Sequence, residues 1–143
     1  MKEFCKVAAL AALLAGTSAV PAGAQQTPRE ARDLARYRQY AEAPVDHVRY
    51  YQVNGFQYLS PDTVGVWFGV NQLYLLTVQT PCRNLAFANG IALTAKNHTL
   101  YRNFDFVTFD HQRCKILEIM PVNELQMKRG PARAGTAAPA ASH

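Results

Sequence analysis

Apolar and polar residues alternate most regularly in the middle of the chain, in TVGVWFGV (63–70). Successive side chains of a β-strand point to opposite faces, so the three valines and Phe68 share one face and Trp67 lies on the other with the two glycines. The apolar run LYLLTV (73–78) follows after two residues. This spacing predicts an antiparallel hairpin.

Turn signals and β-branched residues continue through 45–129, which predicts further short strands. We expect these strands at 90–94, 99–109 and 114–122. Asn54-Gly55 predicts either another tight turn or a bulge in one long bent strand, and we favour the bulge. The segment CRNLAFANG (82–90) predicts a loop or a single helical turn closed by Gly90.

Several predicted strands are apolar on both faces, as Leu75 and Leu76 show side by side. Such strands are typical of a sheet that is covered on both sides or closed on itself. We therefore predict a mainly β fold, a small antiparallel barrel or roll of about five to seven strands. One N-terminal helix is expected outside the core.

That helix is predicted by TPREARDLARYRQYAEAP (27–44). Thr27 is a good N-cap, and Pro28 suits the first helical position. Glu30 stands three residues after the cap and completes a capping box, and Pro44 is expected to end the helix. The apolar face is thin, which favours a helix at the surface of the domain.

Residues 1–24 show the plan of a secretory signal peptide, in which Lys2 and Lys6 precede an apolar run and small residues precede Gln25. The run is shorter than the roughly 20 residues that cross a bilayer. We predict cleavage after Ala24, export to the periplasm or the exterior, and no membrane span.

Four segments follow from these patterns: the signal peptide (1–24), an N-terminal helical segment (25–44), a β-rich domain (45–129) and a tail (130–143). The tail is rich in Ala and Pro and has no large apolar residue, so it is predicted to be disordered. The net charge of +5 is only mildly basic and indicates no particular class of partner.

Cleavage would remove Cys5 and leave two cysteines, Cys82 and Cys114. An even count in an oxidising compartment favours a disulfide between them. The alternative is a nucleophilic Cys82, with Arg83 favouring its thiolate and one of the histidines as base.

Two Asp-His pairs, Asp46-His47 and Asp110-His111, raise the possibility of a metal site, as does the spacing between His111 and Cys114. Adjacent residues on a strand point to opposite faces, so a pair does not converge on one ion. We interpret both pairs as solvated turn residues and predict no metal and no cofactor.

The stretch RNFDFVTF (102–109) approaches the aromatic stripe of an RNA-recognition strand. Asn103 and Asp105 occupy positions that are small in such a strand, and Asp105 adds a negative charge where phosphate would lie. The sequence therefore predicts no nucleic-acid partner. We assign the stripe to core and cross-strand packing by Phe104, Phe106 and Phe109.

The order of these features resembles a known family. VNGFQYLSPDTVGVWFGVNQLYLLTV (53–78), CRNLAFANGIALT (82–94), Asp105 in FDFV and CKILEIMPV (114–122) together are similar to the family catalogued as domain of unknown function 6491. The resemblance spans about 45–125 and implies a small exported bacterial β-rich domain. It implies no activity, cofactor or functional residue.

These patterns favour a non-catalytic module that binds an envelope protein or a small ligand, since the chain contains no phosphate loop, Gly-x-Ser-x-Gly or His-Glu-x-x-His motif. One alternative is a small periplasmic hydrolase or redox enzyme using Asp105, Asp110 and His111. Another is a carrier that holds an apolar ligand inside the barrel. Trp67 is either a core residue or an exposed stacking platform.

We expect the protein recovered from the periplasm or the culture medium to begin at Gln25, because signal peptidase accepts small residues such as Ala22 and Ala24 before the cleaved bond. Intact-mass spectrometry measures this directly. An exported protein whose mass still includes Met1 would show that the leader is retained.

Overall fold

A computed structural model of the protein describes residues 26–130. The predicted signal peptide and the predicted disordered tail from residue 131 onwards lie outside the described residues, and both stay predictions. The elements are α1 (Pro28–Gln39), β1 (His47–Arg49), β2 (Gly55–Ser60), β3 (Thr63–Gly69), β4 (Gln72–Val78), β5 (Ala92–Leu93), β6 (Thr99–Tyr101), β7 (Phe106–Phe109), β8 (Gln112–Val122) and α2 (Glu124–Arg129).

The strands form two antiparallel sheets. Six of them lie in the order β2-β3-β4-β8-β7-β5, and β1 pairs separately with β6. The six-stranded sheet curls into a half-barrel, which confirms the mainly β prediction and its range of strand numbers. The longest strand, β8, joins the two halves of this sheet by pairing with β4 on one side and β7 on the other.

Two clusters of buried side chains lie on opposite faces of the half-barrel, because Val66 belongs to one and its neighbour Trp67 packs against the other. The large cluster contains Val48, Val64, Val66, Phe68, Leu76, Val78, Leu85, Leu100, Val107, Phe109, Cys114, Ile116 and Ile119. The small cluster contains Leu34, Leu59, Leu73, Leu75, Val122 and Met127. The sheet is therefore covered on both faces, by β1, β6 and a loop on one side and by the two helices on the other.

The predicted hairpin of β3 and β4 is present. Trp67 lies opposite Leu73, and Gly69 lies opposite Gln72, so Val70 and Asn71 form the two-residue turn. Asn71 has a φ of 58°, a left-handed conformation that asparagine adopts more readily than most residues. The alternation ends one residue before Val70, whose side chain is 85% exposed instead of facing the core.

Helix α1 begins as its sequence predicts. The Glu30 amide donates to Thr27 Oγ1 at 3.2 Å, and the Thr27 amide donates to Glu30 Oε2 at 2.6 Å, which completes the capping box. The helix ends at Gln39, before Pro44. The chain then runs alongside β8, where Ala41 bridges to Val122, so pairing with the sheet ends the helix.

Two local predictions are wrong, and one short element was not predicted. Asn54-Gly55 is not a bulge in one long strand, because β1 leaves the six-stranded sheet to pair with β6 and β2 begins only at Gly55. The predicted strand 99–109 is interrupted by a turn between β6 and β7, in which Asn103 has a φ of 61°. The short helix α2 follows β8, with the Asn123 side chain accepting from the Gln126 amide at 3.0 Å.

The segment 82–90 contains a single turn of 3-10 helix at Leu85–Phe87. Of the two predictions, a loop or a single helical turn, the helical turn is confirmed. Leu85 is buried in the large cluster and anchors this turn over the sheet. A disulfide between Cys82 and Cys114 attaches the start of the same segment to β8, with 5.8 Å between the two Cα atoms. We name the segment from residue 79 to residue 91 the disulfide loop.

We expect the double variant Cys82→Ser, Cys114→Ser to lower the free energy of unfolding by about 3 to 4 kcal/mol, because the bond removes chain entropy from the unfolded state across a sequence separation of 32. Urea denaturation of the oxidised wild type and the double variant measures the difference. Wild type treated with a reductant serves as the control and should match the variant. Equal stability of the oxidised wild type and the variant would contradict the expectation.

Candidate functional site

Asp105 occupies the turn between β6 and β7 and is only 3% exposed. Its Oδ2 accepts from the Tyr101 amide at 2.8 Å, and its Oδ1 accepts from the Thr94 hydroxyl at 3.1 Å. Both carboxylate oxygens therefore hold the turn that reverses the chain into β7. Asp105 therefore has a structural role: its carboxylate accepts hydrogen bonds in the turn that a backbone carbonyl would accept in a strand.

Asp110 and His111 form the tight turn between β7 and β8, with φ values of 42° and 62°. They lie at the opposite end of β7 from Asp105, and at about 3.3 Å per strand residue this separates them from Asp105 by roughly 15 Å. The structure therefore does not bring together the three residues of the hydrolase or redox alternative. Asp110 and His111 line an open depression beside β5, together with Ile91 and Thr108.

Cys82 and Cys114 form a disulfide, so neither has a free thiol. The nucleophilic alternative for Cys82 and the pairing of Cys114 with His111 as metal ligands both require a thiolate, which a disulfide does not provide. Asp46 forms an ion pair with Arg102 at 2.6 Å, and the His47 ring lies 5.5 Å from the Tyr101 ring. Within residues 26–130 no three His, Cys, Asp or Glu side chains are grouped as metal ligands would be.

The aromatic stripe of 102–109 does not form one face. Phe109 is buried in the large cluster, and Phe106 lies beneath the Arg113 guanidinium at 5.1 Å, which is cross-strand packing. Phe104 stands in the turn and is 68% exposed, so its assignment to the core is wrong. The turn at Asn103 causes the difference, since it removes Phe104 from the strand.

Trp67 packs beneath the helices. Its ring meets the Tyr37 ring edge to face at 6.3 Å, and its Nε1 donates to Glu124 Oε1 at 3.4 Å. Trp67 is partly buried against the small cluster. Of the two interpretations, core residue or exposed stacking platform, the structure supports the core residue.

A cleft of about 550 Å³ lies where the disulfide loop meets β2. We name it the Tyr58 cleft, after the residue of β2 that lines it; its walls include Pro61, Pro81, Arg83, Ala86 and Phe87. Its volume falls in the range of small-molecule sites. Most of the wall is apolar, and the Phe87 side chain is 72% exposed.

The Tyr58 hydroxyl is buried and has no hydrogen-bond partner among the residues that the structure describes. The only other side-chain atom of this kind in the same part of the chain is Glu124 Oε2, on the opposite face of the sheet. Burying a hydroxyl without a partner costs about 1 to 3 kcal/mol, so such groups are uncommon in stable folds. The Tyr58 hydroxyl is the feature that distinguishes this cleft from the depression beside β5.

Burial and two carboxylates affect the acidity of this hydroxyl. Burial raises the pKa of Tyr58 above its ordinary value, and Glu30 and Asp62 raise it further. A hydrogen bond from the Ser60 hydroxyl to Asp62 Oδ1, at 2.5 Å, is the main cause that holds the pKa of Asp62 below its ordinary value. Tyr58 is therefore a protonated donor at neutral pH, beside a charged Asp62.

Sequence reasoning missed the Tyr58 cleft. Tyr58 lies on β2 and Phe87 lies in the disulfide loop, and only the fold brings them together. The available signal was a pair of prolines, Pro61 and Pro81, that border both segments. Neither proline by itself indicates a binding site.

A sequence model of a family of unknown function, DUF6491, matches residues 1–138, which is nearly the whole chain. The chain belongs to DUF6491. Comparisons with curated proteins and with solved structures give no significant match. Membership in DUF6491 assigns no activity, so any function rests on the geometry of the cleft. Neither helix between residues 26 and 130 has the length and apolar character to cross a membrane.

We expect Asp105→Asn to lower the free energy of unfolding by about 1 to 2 kcal/mol, because an amide replaces one charged acceptor of the buried turn. Asp110→Asn is the matched control, since asparagine also tolerates a left-handed turn and Asp110 is exposed. Urea denaturation of both variants gives the comparison. If Asp105→Asn were as stable as wild type, Asp105 would not be the residue that stabilises the turn between β6 and β7.

Proposed function

We propose that this protein is an exported, non-catalytic binding module of the bacterial envelope and that its Tyr58 cleft holds part of the partner. The observation that carries the proposal is the buried Tyr58 hydroxyl, which has no partner between residues 26 and 130 and lines a cleft with apolar walls. A ligand that accepts this hydrogen bond recovers the cost of burying the donor. The unpaired Tyr58 hydroxyl therefore favours binding of a ligand that carries a hydrogen-bond acceptor.

Export is supported by the leader pattern of residues 1–24 and agrees with a disulfide, because disulfides persist in oxidising compartments. The family resemblance implies a bacterial source. The mature protein would then meet its partner in the periplasm or outside the cell.

A binding role is favoured over the two alternatives by the positions of side chains. Both oxygens of Asp105 are engaged in the turn, away from Asp110 and His111, so the hydrolase or redox alternative gains no support. The apolar carrier requires an open interior, whereas Val66 and Ile119 of the large cluster are completely buried. The Tyr58 cleft is a concave site at the edge of the half-barrel and not in its interior.

Photocrosslinking in the native bacterium tests the proposal. We expect a benzophenone amino acid at Phe87, an exposed wall residue of the cleft, to give a discrete covalent adduct on gels of the envelope fraction. The same probe at Tyr51, which is 90% exposed and lies beside His98 away from the cleft, is the matched control and should give none. Tyr58→Phe should reduce the Phe87 adduct several-fold.

Two results would overturn the proposal. One is the same pattern of adducts from the probes at Phe87 and Tyr51, which would indicate nonspecific crosslinking. The other is no adduct from Phe87 when the protein is exported and folded, as its disulfide shows on a non-reducing gel.

A further inference from the structure

The walls and donors of the Tyr58 cleft define the chemistry that it accepts. Pro61, Pro81, Ala86 and Phe87 offer an apolar surface, and Tyr58 offers one buried donor. Aromatic-lined grooves bind extended peptides, which combine apolar contacts with a few hydrogen bonds. A ligand for this cleft therefore needs an apolar body and a hydrogen-bond acceptor.

The charges near the hydroxyl decide which acceptor fits. The carboxylates of Glu30 and Asp62 act on Tyr58 from the α1 side and from the turn after β2. Both are already engaged, Glu30 with the Thr27 amide and Asp62 with the Ser60 hydroxyl, so neither is the missing partner. An anionic acceptor would be repelled by these two groups, whereas a neutral carbonyl would not.

Arg83 is the cation of the cleft wall, and it is exposed. Its guanidinium donates to a carbonyl as well as to a carboxylate. The bond to a carboxylate is the stronger of the two, but an exposed ion pair is screened by water and adds little net attraction for a free anion. A peptide presents carbonyls in series, so one can meet Tyr58 while another meets Arg83. A free carboxylate satisfies only the arginine.

We propose that the Tyr58 cleft binds an uncharged apolar peptide segment of an exported protein, with a backbone carbonyl of that segment accepting from Tyr58 Oη. This inference rests on the proposed binding function and names the class of its partner. The apolar side chains of the segment pack on Phe87 and the two prolines, and Arg83 donates to a carbonyl nearer the opening of the cleft.

Three probes share one apolar body and differ in charge. At pH 6, N-acetylphenylalaninamide is neutral, N-acetylphenylalanine is an anion and phenylalaninamide is a cation. Each is titrated into isotope-labelled, oxidised mature protein, and the backbone amides of Arg83, Ala86 and Phe87 are followed by NMR. We expect the neutral probe to shift these amides at the lowest concentration. The anion should bind several-fold more weakly.

Tyr58→Phe should weaken the neutral probe about fivefold to tenfold, which is the range expected for one hydrogen bond. Tyr74→Phe is the matched control, because Tyr74 is also partly buried against the large cluster but does not line the cleft. Tyr58→Phe should also leave the midpoint of urea unfolding unchanged or raise it, because the lost hydroxyl had no partner within the described part of the chain.

Tightest binding by the anion, or equal binding of the neutral probe to wild type and Tyr58→Phe, would overturn the inference. So would a marked loss of stability in Tyr58→Phe, since it would reveal a partner for the hydroxyl in the folded chain. A Phe87 adduct in the bacterium combined with any of these results would preserve the binding function and reject only the peptide carbonyl. Adducts equal to those of the Tyr51 control would reject both.

Discussion

The half-barrel must be covered on both faces, and the remaining elements follow from this requirement. Adjacent residues such as Leu75 and Leu76 are both completely buried, one on each face of the sheet. Each fully buried aliphatic side chain contributes about 1.5 to 3 kcal/mol, compared with about 1 kcal/mol for a helix cap. Burial on the sheet therefore sets the position of α1, and its capping box defines only where the helix begins.

The two covers differ in how they are attached. The helices lie over the small cluster through Leu34 and Met127. The disulfide loop lies over the large cluster through Leu85 and is also joined to β8 by the Cys82–Cys114 bond. The Tyr58 cleft forms where this covalently attached cover meets β2, so the same bond that stabilises the domain also positions the walls of the cleft.

Two features specified within a few residues were predicted from the sequence. The capping box of α1 and the hairpin of β3 and β4 depend on contacts between near neighbours, and both are present. The pairing of β1 with β6 joins distant segments, which no local pattern reveals. The turn at Asn103 was missed because the alternating aromatic residues of 102–109 are typical of one continuous strand.

The candidate site was less predictable than the fold. The disulfide was predicted from the count of cysteines that remain after the predicted cleavage. The fold places the residues considered for catalysis in separate turns, Asp105 before β7 and Asp110 with His111 after it. The Tyr58 cleft depends on a hydroxyl that lacks a partner, which is a property of packing in three dimensions. The sequence around a tyrosine in a strand does not show whether its hydroxyl has a hydrogen-bond partner in the folded protein.

Trp67 is the one tryptophan of the chain, and it lies under the helices on the face opposite to Tyr58. Its indole emission will therefore respond to the docking of α1 and α2 through Tyr37 and Glu124. The Tyr58 cleft lies on the other side of the sheet, so a ligand bound there, as proposed, would leave the surroundings of the indole unchanged. Intrinsic fluorescence thus reports the attachment of the helical layer to the sheet.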